Sequence, residues 1–187
     1  MKKPLKVGFD LDGVLLYNPV RIARKPVSLI KKIFLPSRRQ KFIIPQNWFS
    51  KIIWEALHLS SLFVADGFYD IERLVKEKKI QAYIITARYN FLQNNTEKWL
   101  SRLNKKRIFT SMLINKGNEQ PHLFKKRLVD KLGLDIFVED NFDIVSHLRT
   151  SDKTKIFWIY NVLDRYIDHN YKFPNLKKAV AKLESFT

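Results

Sequence analysis

Five short apolar runs, each followed by a stretch of helical periodicity, constrain this chain more than any other feature. The runs are 5–11, 81–86, 109–114, 136–139 and 155–160. They are almost continuously apolar, the pattern of strands covered on both faces. The stretches 68–79, 90–103, 120–132, 141–148 and 175–183 predict helices. Their apolar stripes are Ile71, Leu74 and Val75; then Phe91, Trp99, Leu100 and Leu103; then Leu123, Phe124, Leu128 and Leu132. Strands joined through helices imply right-handed crossovers and a parallel sheet. The expected fold class is therefore α/β, a three-layer αβα sandwich around a parallel Rossmann-like sheet. Every strand then ends on one edge, where ligands of open α/β sheets bind.

The 187 residues suit one such domain with a modest insertion. A content of 45% apolar and 13% aromatic residues is enough for a sizeable core and argues against disorder. The absence of cysteine excludes disulfides and thiolate metal sites. Met1-Lys2-Lys3 is basic, but Asp10 and Asp12 interrupt the apolar stretch behind it. We expect neither a signal peptide nor a membrane span, and a cytoplasmic location. The net charge of +17 favours anionic partners: nucleotides, nucleic acid, phosphosugars or acidic lipid headgroups. A merely solvated basic surface accounts for the same number.

Residues 18–65 break the rhythm. They hold four of the seven prolines and nine Lys or Arg against the single acid Glu55. Trp48, Ile52, Ala56 and Leu59 recur at helical spacing. The domain reading is a core of 1–17 and 66–187, with a small helical insertion at 18–65. Val27, Ile30, Ile33 and Phe34 beside Lys31 and Lys32 make a short basic amphipathic stretch, a weak candidate for docking on an anionic membrane surface.

Four chemical features fall in order at or near predicted strand ends. The first is Asp10-Leu11-Asp12-Gly13, two carboxylates and a glycine turn after a buried strand. Buried carboxylates need a counter-charge or a metal. The second is Thr86-Ala87-Arg88, which ends an apolar strand in a hydroxyl. The third is the Lys125-Lys126 pair. The fourth is Glu139-Asp140, with Asp143 just beyond. The residues themselves point to Mg²⁺ and phosphate chemistry, because a hard cation prefers carboxylate and phosphate oxygens. His58, His122, His147 and His169 are scattered without metal-ligand spacing and read as structural or exposed.

This set, in this order, resembles the haloacid dehalogenase-like (HAD) superfamily of phosphohydrolases over nearly the whole chain. The resemblance implies a Mg²⁺-dependent phosphatase for a phosphate monoester, with Asp10 as nucleophile and an aspartyl-phosphate intermediate. Asp12 would be the acid and base, which asks that its carboxyl hold a proton more readily than Asp10. Asp10, the backbone carbonyl of Asp12, and Asp140 would hold the metal. Thr86, Ala87, Arg88 and Lys126 would contact substrate phosphate, and Lys125 would neutralise charge, with Lys126 and Lys116 as alternatives. Glu139 and Asp143 would support the ligands from behind. The Glu-Asp pair departs from the commoner Gly-Asp or Asp-Asp and is similar to that of certain nucleotidases.

By the same resemblance, residues 18–65 would be a cap that selects the leaving group. Arg21, Arg24, Arg38 and Arg39 are candidate anion contacts, and Phe42, Trp48 and Trp54 candidate stacking surfaces. The expected substrate is a nucleotide or another small phosphorylated metabolite. The alternatives are phosphatase action on nucleic-acid ends and a non-catalytic basic binding module.

Overall fold

The computed structural model describes residues 3–17, 47–48, 52, 63–149 and 153–187. Strand β1, Leu5–Phe9, lies inside a six-stranded sheet. Its chain-order companions are β4 (Ile80–Thr86), β5 (Phe109–Ile114), β6 (Ile136–Glu139), β7 (Lys155–Ile159) and β8 (Lys172–Phe173). The order across the sheet is β5-β4-β1-β6-β7-β8, and every pairing is parallel. The chain winds outward in both directions from β1, so the switch in winding direction falls at β1 itself. That is where a crevice opens beyond the strand ends.

Period-two alternation sends the two faces of each strand into separate cores. Val7, Phe9, Ala82, Ile84, Ile136, Val138, Phe157 and Ile159 face one way. They pack on α1 (Phe68–Lys76), α2 (Gln93–Leu103) and α5 (Leu176–Glu184) through Ile71, Leu74, Leu100, Val180 and Leu183. Tyr83, Ile85, Phe137, Ile156 and Trp158 face the other way. They pack on α3 (Pro121–Leu132) and α4 (Phe142–Leu148) through Phe124, Leu128, Ile144 and Leu148. Helices on both faces give the expected three layers. Gly8 faces the second core, where a Cβ would lie 2.5 Å from Leu134 Cδ1. The backbone of β1 therefore runs close under Leu134 and Phe137.

Several details differ from the pattern-based expectation. β1 stops at Phe9, because residues 11–16 fold into a turn closed by Gly13 N–H to Leu16 O (2.8 Å) and Leu16 N–H to Leu11 O (2.9 Å). The helix expected over 90–103 begins as a 3₁₀ turn, Asn90–Leu92, before α2. Leu123, expected on the buried face of α3, is 50% exposed. The buried face runs through Pro121, Phe124, Lys125, Leu128 and Val129, a stripe of three- and four-residue steps that misses Leu123. β8, two residues long, is too short to carry a visible period in the sequence.

A second, antiparallel pair joins β2 (Leu16–Tyr17) to β3 (Phe63–Val64), and Ala65 N–H reaches Leu15 O at 2.9 Å. The last residues of the expected 18–65 insertion are thus paired to the turn after β1. Of the rest, Asn47, Trp48 and Ile52 are described, and Trp48 and Ile52 are exposed. The cationic, aromatic and amphipathic candidates elsewhere in that stretch, and His58, lie outside the described residues. Among the described residues no helix is long and apolar enough to cross a membrane.

Candidate active site

Asp10 is the first residue beyond β1, and its N–H donates to Val138 O of β6 at 3.0 Å. The parallel register of β1 with β6 brings the ends of the two strands side by side. Glu139 closes β6 and Asp140 follows it. The turn after Asp10 needs Gly13, whose φ is +79°. A Cβ there would also lie 2.1 Å from Asp140 Oδ2. The missing side chain lets the Asp140 carboxylate lie directly against the Asp10-Asp12 turn.

Lys125 reaches this point from α3. Its Nζ lies 2.9 Å from Asp10 Oδ1 and 2.6 Å from Glu139 Oε2. Glu139 Oε1 accepts from the N–H groups of Asp140 (3.0 Å) and Asn141 (2.9 Å). Both oxygens of this fully buried carboxylate are therefore occupied by protein. Trp158 Nε1–H donates to the carbonyl of Asp140 at 3.2 Å and holds its backbone from the neighbouring strand. Asn141 caps α4, its side-chain oxygen accepting from Asp143 N–H at 3.0 Å.

Carboxylate oxygens of Asp10, Glu139 and Asp140 lie within 4.8 Å of one another. Burial pushes the Asp10 carboxyl up to about 8; Lys125 opposes this, while Glu139, Asp140 and Asp12 add to it. Burial likewise raises Glu139, with Lys125 pulling the other way. Lys125 is held above the ordinary lysine range, because Asp10 and Glu139 outweigh the cost of burying its charge. Among the described residues, three carboxylates gather around one ammonium, an arrangement whose charge a divalent cation would balance. The donor chemistry is all oxygen, as Mg²⁺ requires. The residues therefore fit a divalent metal, with Asp10 and Asp140 better suited to hold it than the doubly occupied Glu139.

Asp12 stands apart from that group. Arg88 Nε donates to its Oδ2 at 2.7 Å and Nη2 to its Oδ1 at 2.6 Å. A two-pronged arginine contact fixes the plane and direction of the carboxyl group. Asp10 sits among carboxylates in a dry site, whereas Asp12 faces a guanidinium.

The other expected site residues separate clearly. Thr86, 1% exposed, ends β4 with Ala87 beside it, and its Oγ1 accepts a long 3.4 Å contact from Arg88 N–H. Arg88, for which the resemblance implies a substrate contact, has a side chain 1% exposed and engaged by Asp12. Lys126 was paired with Lys125 as a phosphate contact, yet its ion pair is with Asp130, at 3.4 Å. Successive residues on a helix point about 100° apart, so only one of the two lysines can face β1. Lys116 is exposed. Asp143 is exposed in the first turn of α4, where its charge suits the helix dipole. His122 and His147 meet edge to face at 4.7 Å between α3 and α4, and His169 bonds Ile156 O at 2.7 Å.

Sequence reasoning missed Asn95 and Trp158. Asn95 Oδ1 accepts from Arg88 Nη1 at 2.8 Å. Nothing in its local sequence marks it. Trp158 sits in an apolar strand like its neighbours, and only its indole N–H distinguishes it.

No family model and no curated protein matches the sequence. Solved structures do match its fold. A candidate β-phosphoglucomutase from Thermotoga maritima aligns over 98% of this chain and 100% of its own, at 15% identity and a TM-score of 0.59. The magnesium-bound candidate HAD-hydrolase YfnB of Bacillus subtilis aligns over 98% and 100%, at 13% identity and 0.57. CbbY from Rhodobacter sphaeroides, in complex with phosphate, aligns over 92% and 95%, at 12% identity and 0.57. The chain has the HAD-like fold, as its motif order led us to expect.

Proposed function

We propose that this protein is a Mg²⁺-dependent phosphatase that hydrolyses a phosphate monoester, a nucleotide or another small phosphorylated metabolite, through an aspartyl-phosphate on Asp10. The observation that carries this reading is the buried Asp10 carboxylate at a strand end. It touches Lys125 and lies in a group of three carboxylates whose oxygens could hold a metal.

The roles follow from reach and charge. A carboxylate oxygen of Asp10 attacks phosphorus as the bond from phosphorus to the ester oxygen breaks. The departing oxygen takes a proton from the Asp12 carboxyl. Water then attacks the aspartyl-phosphate and gives its proton to Asp12, releasing inorganic phosphate and restoring the Asp10 carboxylate. The Thr86 hydroxyl and the backbone N–H groups beside Ala87 hold phosphoryl oxygens. Lys125 offsets the charge of nucleophile and phosphate and is itself oriented by Glu139. Asp10, the backbone carbonyl of Asp12, and Asp140 would hold Mg²⁺. The ion would lessen the repulsion between two anions that must meet. In the absence of metal the burial that raises Asp10 makes it a poor nucleophile at neutral pH, so metal and Lys125 act in the same direction.

The test is phosphate release from a broad panel of phosphomonoesters, with Mg²⁺ or EDTA, by wild type and Asp10→Asn. We expect release that needs the metal and disappears in the variant. Release that survives in Asp10→Asn would sink the covalent mechanism. Activity confined to nucleic-acid ends, falling steeply with salt, would move the substrate class to polynucleotides.

A further inference from the structure

Among the described residues, Arg88 is a buried cation of the site that the mechanism above does not use. Its guanidinium donates twice to Asp12 and once to Asn95, which places it between the turn after β1 and the N-terminal part of α2. Its Nε, Nη1 and Nη2 are all engaged by Asp12 and Asn95, and its side chain is 1% exposed against 9% for Asp12. An ionised carboxylate has about four lone-pair sites. The arginine fork uses one on each oxygen and so fixes the plane of the carboxyl. Asn95 fixes the far side of the fork, and the buried strand end at Thr86 fixes its backbone.

We propose that Arg88 is a positioning residue for Asp12. It sets the orientation from which that carboxyl exchanges a proton with the ester oxygen and then with water, and Asn95 holds Arg88 in turn. The proposal rests on the phosphatase reading above and adds to it a residue that acts without touching substrate. A phosphate-binding arginine would chiefly set KM. A positioning arginine sets kcat, and does so only while Asp12 is there to be positioned.

The experiment is steady-state hydrolysis of para-nitrophenyl phosphate and phenyl phosphate by wild type, Arg88→Ala, Arg88→Lys, Asn95→Ala, Asp12→Asn and the double variant of Arg88→Ala with Asp12→Asn. Circular dichroism first checks that each variant folds. We expect Arg88→Ala to lower kcat by about ten- to a hundredfold, the cost of a misplaced catalytic group. KM should stay within about threefold of wild type. The loss should be larger for phenyl phosphate, whose leaving group needs the proton more. Arg88→Lys should restore part of the rate, and Asn95→Ala should lose less than Arg88→Ala. In the Asp12→Asn background, Arg88→Ala should change the residual rate by less than about threefold, because the pair acts as a unit.

A rise in KM with kcat unchanged would overturn the proposal. So would losses that multiply in the double variant, or equal losses on both esters. If Arg88→Ala does not fold, Arg88→Lys and Asn95→Ala decide by the same KM and leaving-group criteria. A wild type that releases no phosphate from any ester, or an Asp10→Asn that turns over normally, defeats the phosphatase reading itself.

Discussion

The two buried ion groups at the strand ends are built to opposite balances. Around Lys125, among the described residues, one ammonium serves Asp10 and Glu139 with the Asp140 carboxylate alongside. Around Arg88, one guanidinium meets one carboxylate, with the neutral Asn95 taking a further N–H. Among the described residues, the first group gathers three carboxylates on one cation and the second sets one carboxylate on one cation. Burial is nearly equal in the two, so the difference lies in stoichiometry. A dry site with surplus charge invites a ligand; a dry site in balance fixes a geometry.

The largest effect expected from this contrast is in the Lys125 group. Lys125→Met keeps the bulk of the stem and leaves Asp10 and Glu139 without their ammonium. Denaturant unfolding without metal should show a loss of about 3–5 kcal/mol, the usual result of removing one partner of a buried pair. A loss below about 1 kcal/mol, the range of exposed pairs, would mean that the group is not dry.

Magnesium should separate the two groups next. At about a hundred times its Kd it should stabilise wild type by about 2.7 kcal/mol, read as a rise in melting temperature. Arg88→Lys should respond as wild type does, because the Arg88 group takes no cation. Asp140→Asn should not respond at all. Glu139→Gln should keep the response with Mg²⁺ affinity weakened about ten- to a hundredfold, as befits a residue behind the ligands. An Asp140→Asn that melts higher with Mg²⁺ would remove Asp140 from the metal site.

Gly13→Ala comes third. A side chain at φ +79° is strained, and its Cβ would strike Asp140 Oδ2. We expect about 1–3 kcal/mol of lost stability and a loss of the magnesium response. Retention of both would show that the turn relaxes away from Asp140.

The smallest effect involves neither group. Burial and the neighbouring His147 hold His122 below the ordinary histidine range, and burial does the same for His169. A folded-state value below the unfolded one means that the unfolded chain binds more protons. The stability these neutral rings contribute is complete above about pH 6.5, the unfolded value, and is lost as pH falls through the folded values. Melting temperature should decline slightly on the acid side in wild type and less so in His122→Gln. An equal decline in both would clear His122 of any part in it.

Much of the core was legible in the chain because period-two and period-3.6 patterns report burial directly. β5 and β6 lie at their expected bounds, and the other three strands differ by one or two residues. The carboxylates at strand ends were legible for a related reason: an acid after an apolar run is costly unless it has work there. Lys125 and Lys126 could not be told apart by type, since both are lysines on one helix. Arg88 read as a surface or substrate residue because arginine usually is one. Its burial depends on Asp12, distant in sequence, and on Asn95, whose local sequence carries no signal.

The sequence by itself determined the layers, the parallel sheet and the residue types gathered along its one functional edge. These follow from local periodicity and from the handedness of crossovers, which every segment obeys on its own. Only the tertiary structure decided which cation serves which carboxylate. Each ion pair of the two buried groups joins residues from different elements, and its existence depends on strand register, on the rotation of α3 about its axis and on the space left by Gly13. Those quantities are properties of the packed whole, and no segment of the chain contains them.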